Sequence, residues 1–257
     1  MNNDLQKASI LKRFAAGTFD FIMLICLVTV LALALSALLG YNGYMGQWES
    51  IYEQYSQQYG IKIDMTSKEY AELTEEEQAA YLEKYQAANE AIQKDEEASR
   101  VFSMLVSLSL TIVSVSVLLG YLIWEFAIPL WFGNGQTIGK KAFSLALMRT
   151  DSVKVTPFMM FARTVLGKCA IETLPLALVA VMLMLNVSCG FGILFVGLIL
   201  LTQVILLIST RTNSLLHDML ACTVVVDMAS QRIFDSPEAR MEYIKRISAE
   251  EAARAKY

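Results

Sequence analysis

The stretch that decides the fold is RFAAGTFDFIMLICLVTVLALALSALL, residues 13–39, in which one arginine and, seven residues on, one aspartate are the only charges. A helix needs about 20 mainly apolar residues to cross the hydrocarbon core, and this run exceeds that length. It is too long for a signal-peptide core and lacks a convincing small-residue cleavage site, so it reads as an anchor that stays. Three further runs qualify, residues 101–130, 165–187 and 191–210. The last two are separated only by Ser188, Cys189 and Gly190, which predicts a tight helical hairpin. A composition that is 55% hydrophobic and 18% charged over 257 residues agrees with a membrane class.

Direction follows from the basic residues near the span ends, which prefer the cytoplasm. Lys7, Lys12 and Arg13 precede the first span, and residues 133–163 carry Lys140, Lys141, Arg149, Lys154 and Arg163 against Asp151 alone. Both segments are expected inside, with both termini cytoplasmic. Residues 41–100 hold 13 acids and 5 bases and are expected outside. The net charge of −4 averages over these opposed segments, and no nucleic-acid partner is expected. Cys26, Cys169, Cys189 and Cys222 lie in or beside apolar runs and read as reduced. With His217 as the single histidine, no metal or other cofactor is expected.

The outer loop has helical periodicity. Trp48, Ile51, Tyr52, Tyr55 and Tyr59 share one helical face. That stripe reads either as packing between two loop helices or as a surface for an extracytoplasmic protein partner. Thr74 and Glu77 form a capping box opening a helix that could run straight into the second span. On the inner side FSLALMRT and VKVT flank a turn at Asp151 and Ser152, and CTVVVD supplies a third β-prone stretch. Ser236 and Pro237 open a charged terminal helix expected to reach Lys256. The divisions are then residues 1–40, 41–100, 101–132, 133–164, 165–210 and 211–257.

The informative polar residues are those inside the spans. At about 1.5 Å rise per residue, Asp20 and Glu125 lie roughly 10 Å from the inner surface, Lys168 and Glu172 roughly 8 and 14 Å, and Gln203 roughly 12 Å. Five polar side chains from four helices thus share one layer in the cytoplasmic half. Each charge costs about 2.5–3.5 kcal/mol to insert, so a role is the default reading. In one reading Arg13, Arg163 and Lys168 balance the three acids and lock the helices, with Lys168 and Glu172 paired four residues apart. In the other, Arg13 and Arg163 snorkel to the interface. That leaves carboxylates that must bind a proton or a cation, with Asp20 as the preferred titrating group and Glu125 or Glu172 as its partner. Pro175 should kink the third span. GNGQTIGKK lacks Walker spacing; its glycines are expected to turn the chain, with Lys140 and Lys141 on anionic head groups. His217 and Asp218 read as structural, Asp218 tying the tail to Arg13 or Arg211, and no enzymatic activity is expected.

RFAAGTFDF, GNGQTIGKKAFSLALMRTD and SLLHDMLACTVVV, in that order, resemble the RDD family of prokaryotic membrane proteins. The resemblance makes Arg13, Asp20 and Asp218 the signature residues, implies a prokaryotic cell membrane, and suggests transport, with sodium or proton antiport among the family's activities. The expected fold is all-α, with four transmembrane helices in the lipid bilayer, an extracytoplasmic helical loop and a small cytoplasmic β element. The expected function is small-cation or proton-coupled transport, with a homo-oligomer supplying missing walls. The alternative is a membrane scaffold whose outer loop, residues 41–100, recruits a partner.

Overall fold

The computed structural model describes residues 8–210 and 212–254. Lys7 and Arg211, which enter the charge reading, and Lys256, at the expected end of the terminal helix, lie outside the described residues. In chain order the elements are α1 (Ile10–Leu38), α2 (Tyr41–Tyr59), α3 (Ser67–Ala71), α4 (Glu75–Lys94), α5 (Glu96–Phe132), α6 (Ile138–Ala142), β1 (Leu145–Arg149), α7 (Pro157–Met184), α8 (Gly190–Ser209), α9 (Leu216–Leu220), β2 (Thr223–Asp227) and α10 (Pro237–Arg254). Helices α1, α5, α7 and α8 are each long and apolar enough to cross a membrane. Their outward faces carry exposed apolar side chains such as Phe21, Val30, Phe191 and Ile208, as a lipid-facing surface requires. This is an all-α, multi-pass membrane protein with one small sheet.

The chain forms two compact units, one of residues Ala32–Val113 and the other of the chain up to Leu31 together with the chain from Ser114. Within the first unit Tyr55, Ile92 and Ala98 are buried, and Trp48, Ile51, Tyr52 and Tyr59 pack around them. The aromatic stripe is therefore consumed in packing α2 against α4 and the start of α5. The Thr74 and Glu77 capping box forms as expected. The helix it opens does not continue into the second span. It stops at Lys94, and Asp95 takes an extended conformation. The Asp95 carboxylate accepts hydrogen bonds from the Glu97 and Ala98 amides and from the Tyr55 hydroxyl at 2.8, 3.3 and 2.9 Å, which starts α5 afresh.

In the second unit β1 pairs antiparallel with β2, Leu145 opposite Asp227 through Arg149 opposite Thr223. Alternation gives the sheet two buried faces. Leu145, Leu147 and Val225 pack with Ala16 of α1 and Met160 of α7, and Ala146, Met148, Val224 and Val226 pack with Ile233. The VKVT stretch contributes two isolated bridges instead of a third strand, Lys154 to Met148 and Val153 to Phe234. Ser236 caps α10 through the Ala239 amide.

Two of the membrane helices change their winding. α5 is π-helical over Leu122–Ala127 and α7 over Ala162–Thr173, and the Ile128 and Leu174 amides reach back five residues, to Ile123 and Cys169. Pro129 and Pro175 each stand two residues beyond a π segment. Proline offers no N–H and its ring crowds the carbonyl four residues back, and the widened turn absorbs both defects. The Pro175 break was expected from sequence; the matching one at Pro129 was not.

Candidate functional site

The π segments carry the buried Glu125 and Arg163 and the half-buried Lys168 and Glu172, so part of the site is assembled where the winding is abnormal. Asp20 faces the loop between α5 and β1. Its Oδ1 accepts from the Gly139 amide at 2.9 Å and the Trp124 indole at 3.3 Å, and its Oδ2 accepts from the Thr137 hydroxyl. Thr137 also caps α6, accepting from the Lys140 amide. Asp20 thereby fastens α6 to α1, and α6 lies so close that a Cβ on Gly139 would come within 2.5 Å of the Ala16 carbonyl oxygen. Gly133 and Gly135 have φ of +78° and +61°, the left-handed turn expected of them.

Glu125 is buried on α5 beside two ammonium groups, Lys168 Nζ at 2.8 Å and Lys140 Nζ at 3.9 Å. Lys140 is thus turned inward, contrary to its expected place on lipid head groups. α6, held by Asp20, aims it at Glu125, and burial pushes its ammonium down to about 8 despite that carboxylate. Lys141 stays exposed over the Phe132 ring at 4.0 Å. Lys168 does not pair with Glu172 as the four-residue spacing suggested, because in a π segment residues four apart no longer stack.

Asp218, with no exposed surface, takes both arginines. Arg163 donates to Oδ1 through Nε at 3.1 Å and Nη2 at 2.6 Å, and Arg13 donates to Oδ2 through Nη2 at 3.1 Å. Arg13 also donates to the Thr212 and Asn213 carbonyls. Neither arginine snorkels, since a buried guanidinium is held where its carboxylate is. Burial alone would raise the Asp218 carboxyl; the two arginines and His217 hold it well below the carboxylate range.

Glu172 pairs with His217. The His217 amide donates to Oε1 at 3.1 Å, and the ring Nδ1 lies 2.9 Å from both carboxylate oxygens. His217 is reached because Gly167 lets α9 close on α7: a Cβ there would stand 2.7 Å from that of His217. Burial pushes the imidazole below its ordinary value. Gln203 accepts from the Leu216 amide at 3.1 Å, so it holds the start of α9.

A cavity of about 450 Å³ adjoins these groups. Asp20, Glu125, Lys168 and Glu172 border it, as do Lys140, Arg163 and His217. With Arg13 and Asp218, four acids, two lysines and two arginines are then gathered with His217, a cluster that is neutral when the imidazole is. The structure brings Asp20, Glu125, Lys168 and Glu172, which sequence places in one layer, to the border of one cavity, together with the inward Lys140 and the His217 pair, which sequence reading missed. Thr137, three residues before Lys140 in a helix-capping position, was the available signal.

The RDD family model matches residues 7–222, which span every member of this cluster. No curated protein and no solved structure matches.

Proposed function

Because the chain belongs to the RDD family, we propose that its charged cluster and cavity exchange protons for another small cation across the membrane. The observation that carries this is the His217 and Glu172 pair, 2.9 Å apart, on the wall of the cavity. The other acids are committed: Asp20 to three neutral donors, Glu125 to two lysines, Asp218 to two arginines. Glu172 faces an imidazole, the side chain whose ordinary titration lies nearest neutral pH. A protonated imidazole and a bound cation repel each other across one carboxylate, so each displaces the other, which is the elementary step of exchange. The titrating role moves from Asp20 to this pair. His217 acts as a proton carrier and not in chemical turnover, since Nδ1 is engaged by Glu172 and Nε2 stands 3.7 Å from Asp218.

The sheet end, with Lys141, Lys154 and the buried bases, is cytoplasmic in this reading, in a prokaryotic cell membrane, by the charge rule and the family resemblance. α8 has no buried residue, so a second copy of the chain could seat there as an oligomer wall. The recruitment reading of the outer loop has lost its main support, the aromatic stripe, to internal packing.

The test is cation-dependent proton flux in sealed vesicles. Glu172→Gln should abolish it and His217→Asn should remove its pH dependence. Unchanged flux in a Glu172→Gln protein that assembles normally refutes the proposal.

A further inference from the structure

Arg163 is 2% exposed, and two of its three guanidinium nitrogens serve Asp218. The third, Nη1, is fully buried and has no hydrogen-bond partner among the described residues. Arg163 borders the cavity. An unmet guanidinium N–H buried away from water is costly, and its natural complement is an anionic oxygen. The acids around the cavity do not supply one, since Asp218 is met by Nε and Nη2, Asp20 and Glu172 accept from other residues, and Glu125 Oε2 faces two ammonium groups. The donor capacity left over in this neutral cluster is therefore that of Arg163, with Lys168 and His217 beside it.

The cavity also has an apolar side. Ile10, Phe14, Gly17, Thr18 and Phe21 of α1 border it and are themselves exposed, and Leu207 of α8 borders it too. The exposed lining belongs to the membrane helix α1, so the cavity's mouth on that side is turned to the hydrocarbon. A ligand entering there meets lipid-like surface first and a guanidinium last.

We propose that the cavity is a lateral binding site for a phosphate or carboxylate group, with Arg163 Nη1 as its anchoring donor. The mouth favours an amphiphile that carries the anion on an acyl chain, although a free anion shares the same anchoring chemistry. The site goes beyond the exchange reading and stands whether or not protons cross.

The full chain in nanodiscs tests it by native mass spectrometry and thermal shift. One arm uses neutral phosphatidylcholine with a minority of acidic phospholipid, a second uses neutral discs with inorganic phosphate, and a third neutral discs alone. Retention of one acidic lipid with a raised melting temperature identifies a head-group site. Protection by inorganic phosphate alone identifies a free-anion site. Either effect should weaken about tenfold in Arg163→Lys, which keeps a charge for Asp218 but removes Nη1. Gly17→Phe serves as a second variant outside the ion network. A Cβ at Gly17 meets nothing within 4 Å, so the helix tolerates it while the ring blocks the mouth. Equal behaviour in all three arms, or undiminished binding in both variants, overturns the proposal.

Discussion

Replacing Gly139 with alanine sets two opposed physical effects against each other. In an ordinary helix Ala is favoured over Gly by about 0.5–1 kcal/mol. At this position the new Cβ would stand 2.5 Å from the Ala16 carbonyl oxygen and 2.8 Å from Asp20 Cγ. Good non-bonded contacts begin near ~3.5 Å, so α6 must retreat from α1 by roughly 1 Å. Overpacking of this kind costs about 1–3 kcal/mol. The retreat also stretches the 2.9 Å bond from the Gly139 amide to the Asp20 carboxylate. A hydrogen bond to a charged group contributes about 1.5–3 kcal/mol, of which a part is lost. The backbone carbonyl cannot swing aside as a side chain would, so packing wins and the net loss is about 2 kcal/mol or more. Gly17→Ala is the matched control on α1, with open space at its Cβ and no expected loss. Reversible unfolding of both variants by denaturing detergent, followed by far-ultraviolet circular dichroism, measures the difference. A Gly139→Ala protein as stable as Gly17→Ala would refute the close approach of α6 to α1, and with it the assignment of Asp20 as the loop's anchor.

Asp218→Asn leaves the buried Arg163 and Arg13 without their carboxylate, and the cost should be about 3–5 kcal/mol in the same unfolding assay. Lowering the pH should destabilise the protein. The folded His217 binds its proton less readily than the unfolded one, so below about pH 6.5 the unfolded state takes up more protons. The Asp218 carboxyl, held low, adds a second loss of the same sign in stronger acid, and His217→Asn should flatten only the first, as read by melting temperature across pH. Gly135→Ala should lose stability, because φ is +61° and its Cβ would lie 2.8 Å from that of Leu147. In inside-out vesicles an impermeant maleimide should modify the exposed Cys222, beside the sheet, and spare Cys189, between α7 and α8; the reverse pattern would invert the proposed orientation.

The four spans and the polar residues within them were legible because both rest on properties of the chain alone. Apolar length at a fixed rise per residue sets a span, and the same rise sets the depth of Asp20, Glu125, Lys168 and Glu172. The capping box at Thr74 and the cap at Ser236 were legible for a similar reason, since each is closed within a few residues. Pairing was not legible. Depth fixes one coordinate of a side chain and leaves its direction around the helix open, and the π segments before Pro129 and Pro175 alter that direction. The partner of Glu125 therefore includes Lys140 from a loop helix, which only Asp20, more than a hundred residues earlier, brings into place. Asp218 likewise joins Arg13 and Arg163 from two different helices, and Gly167 admits His217 to Glu172. Sequence by itself determined four helices long and apolar enough to cross a membrane and which polar residues fall within them. Tertiary structure alone decided which charge meets which, because ion pairs depend on angle and on contacts distant in the chain, and hydropathy contains neither.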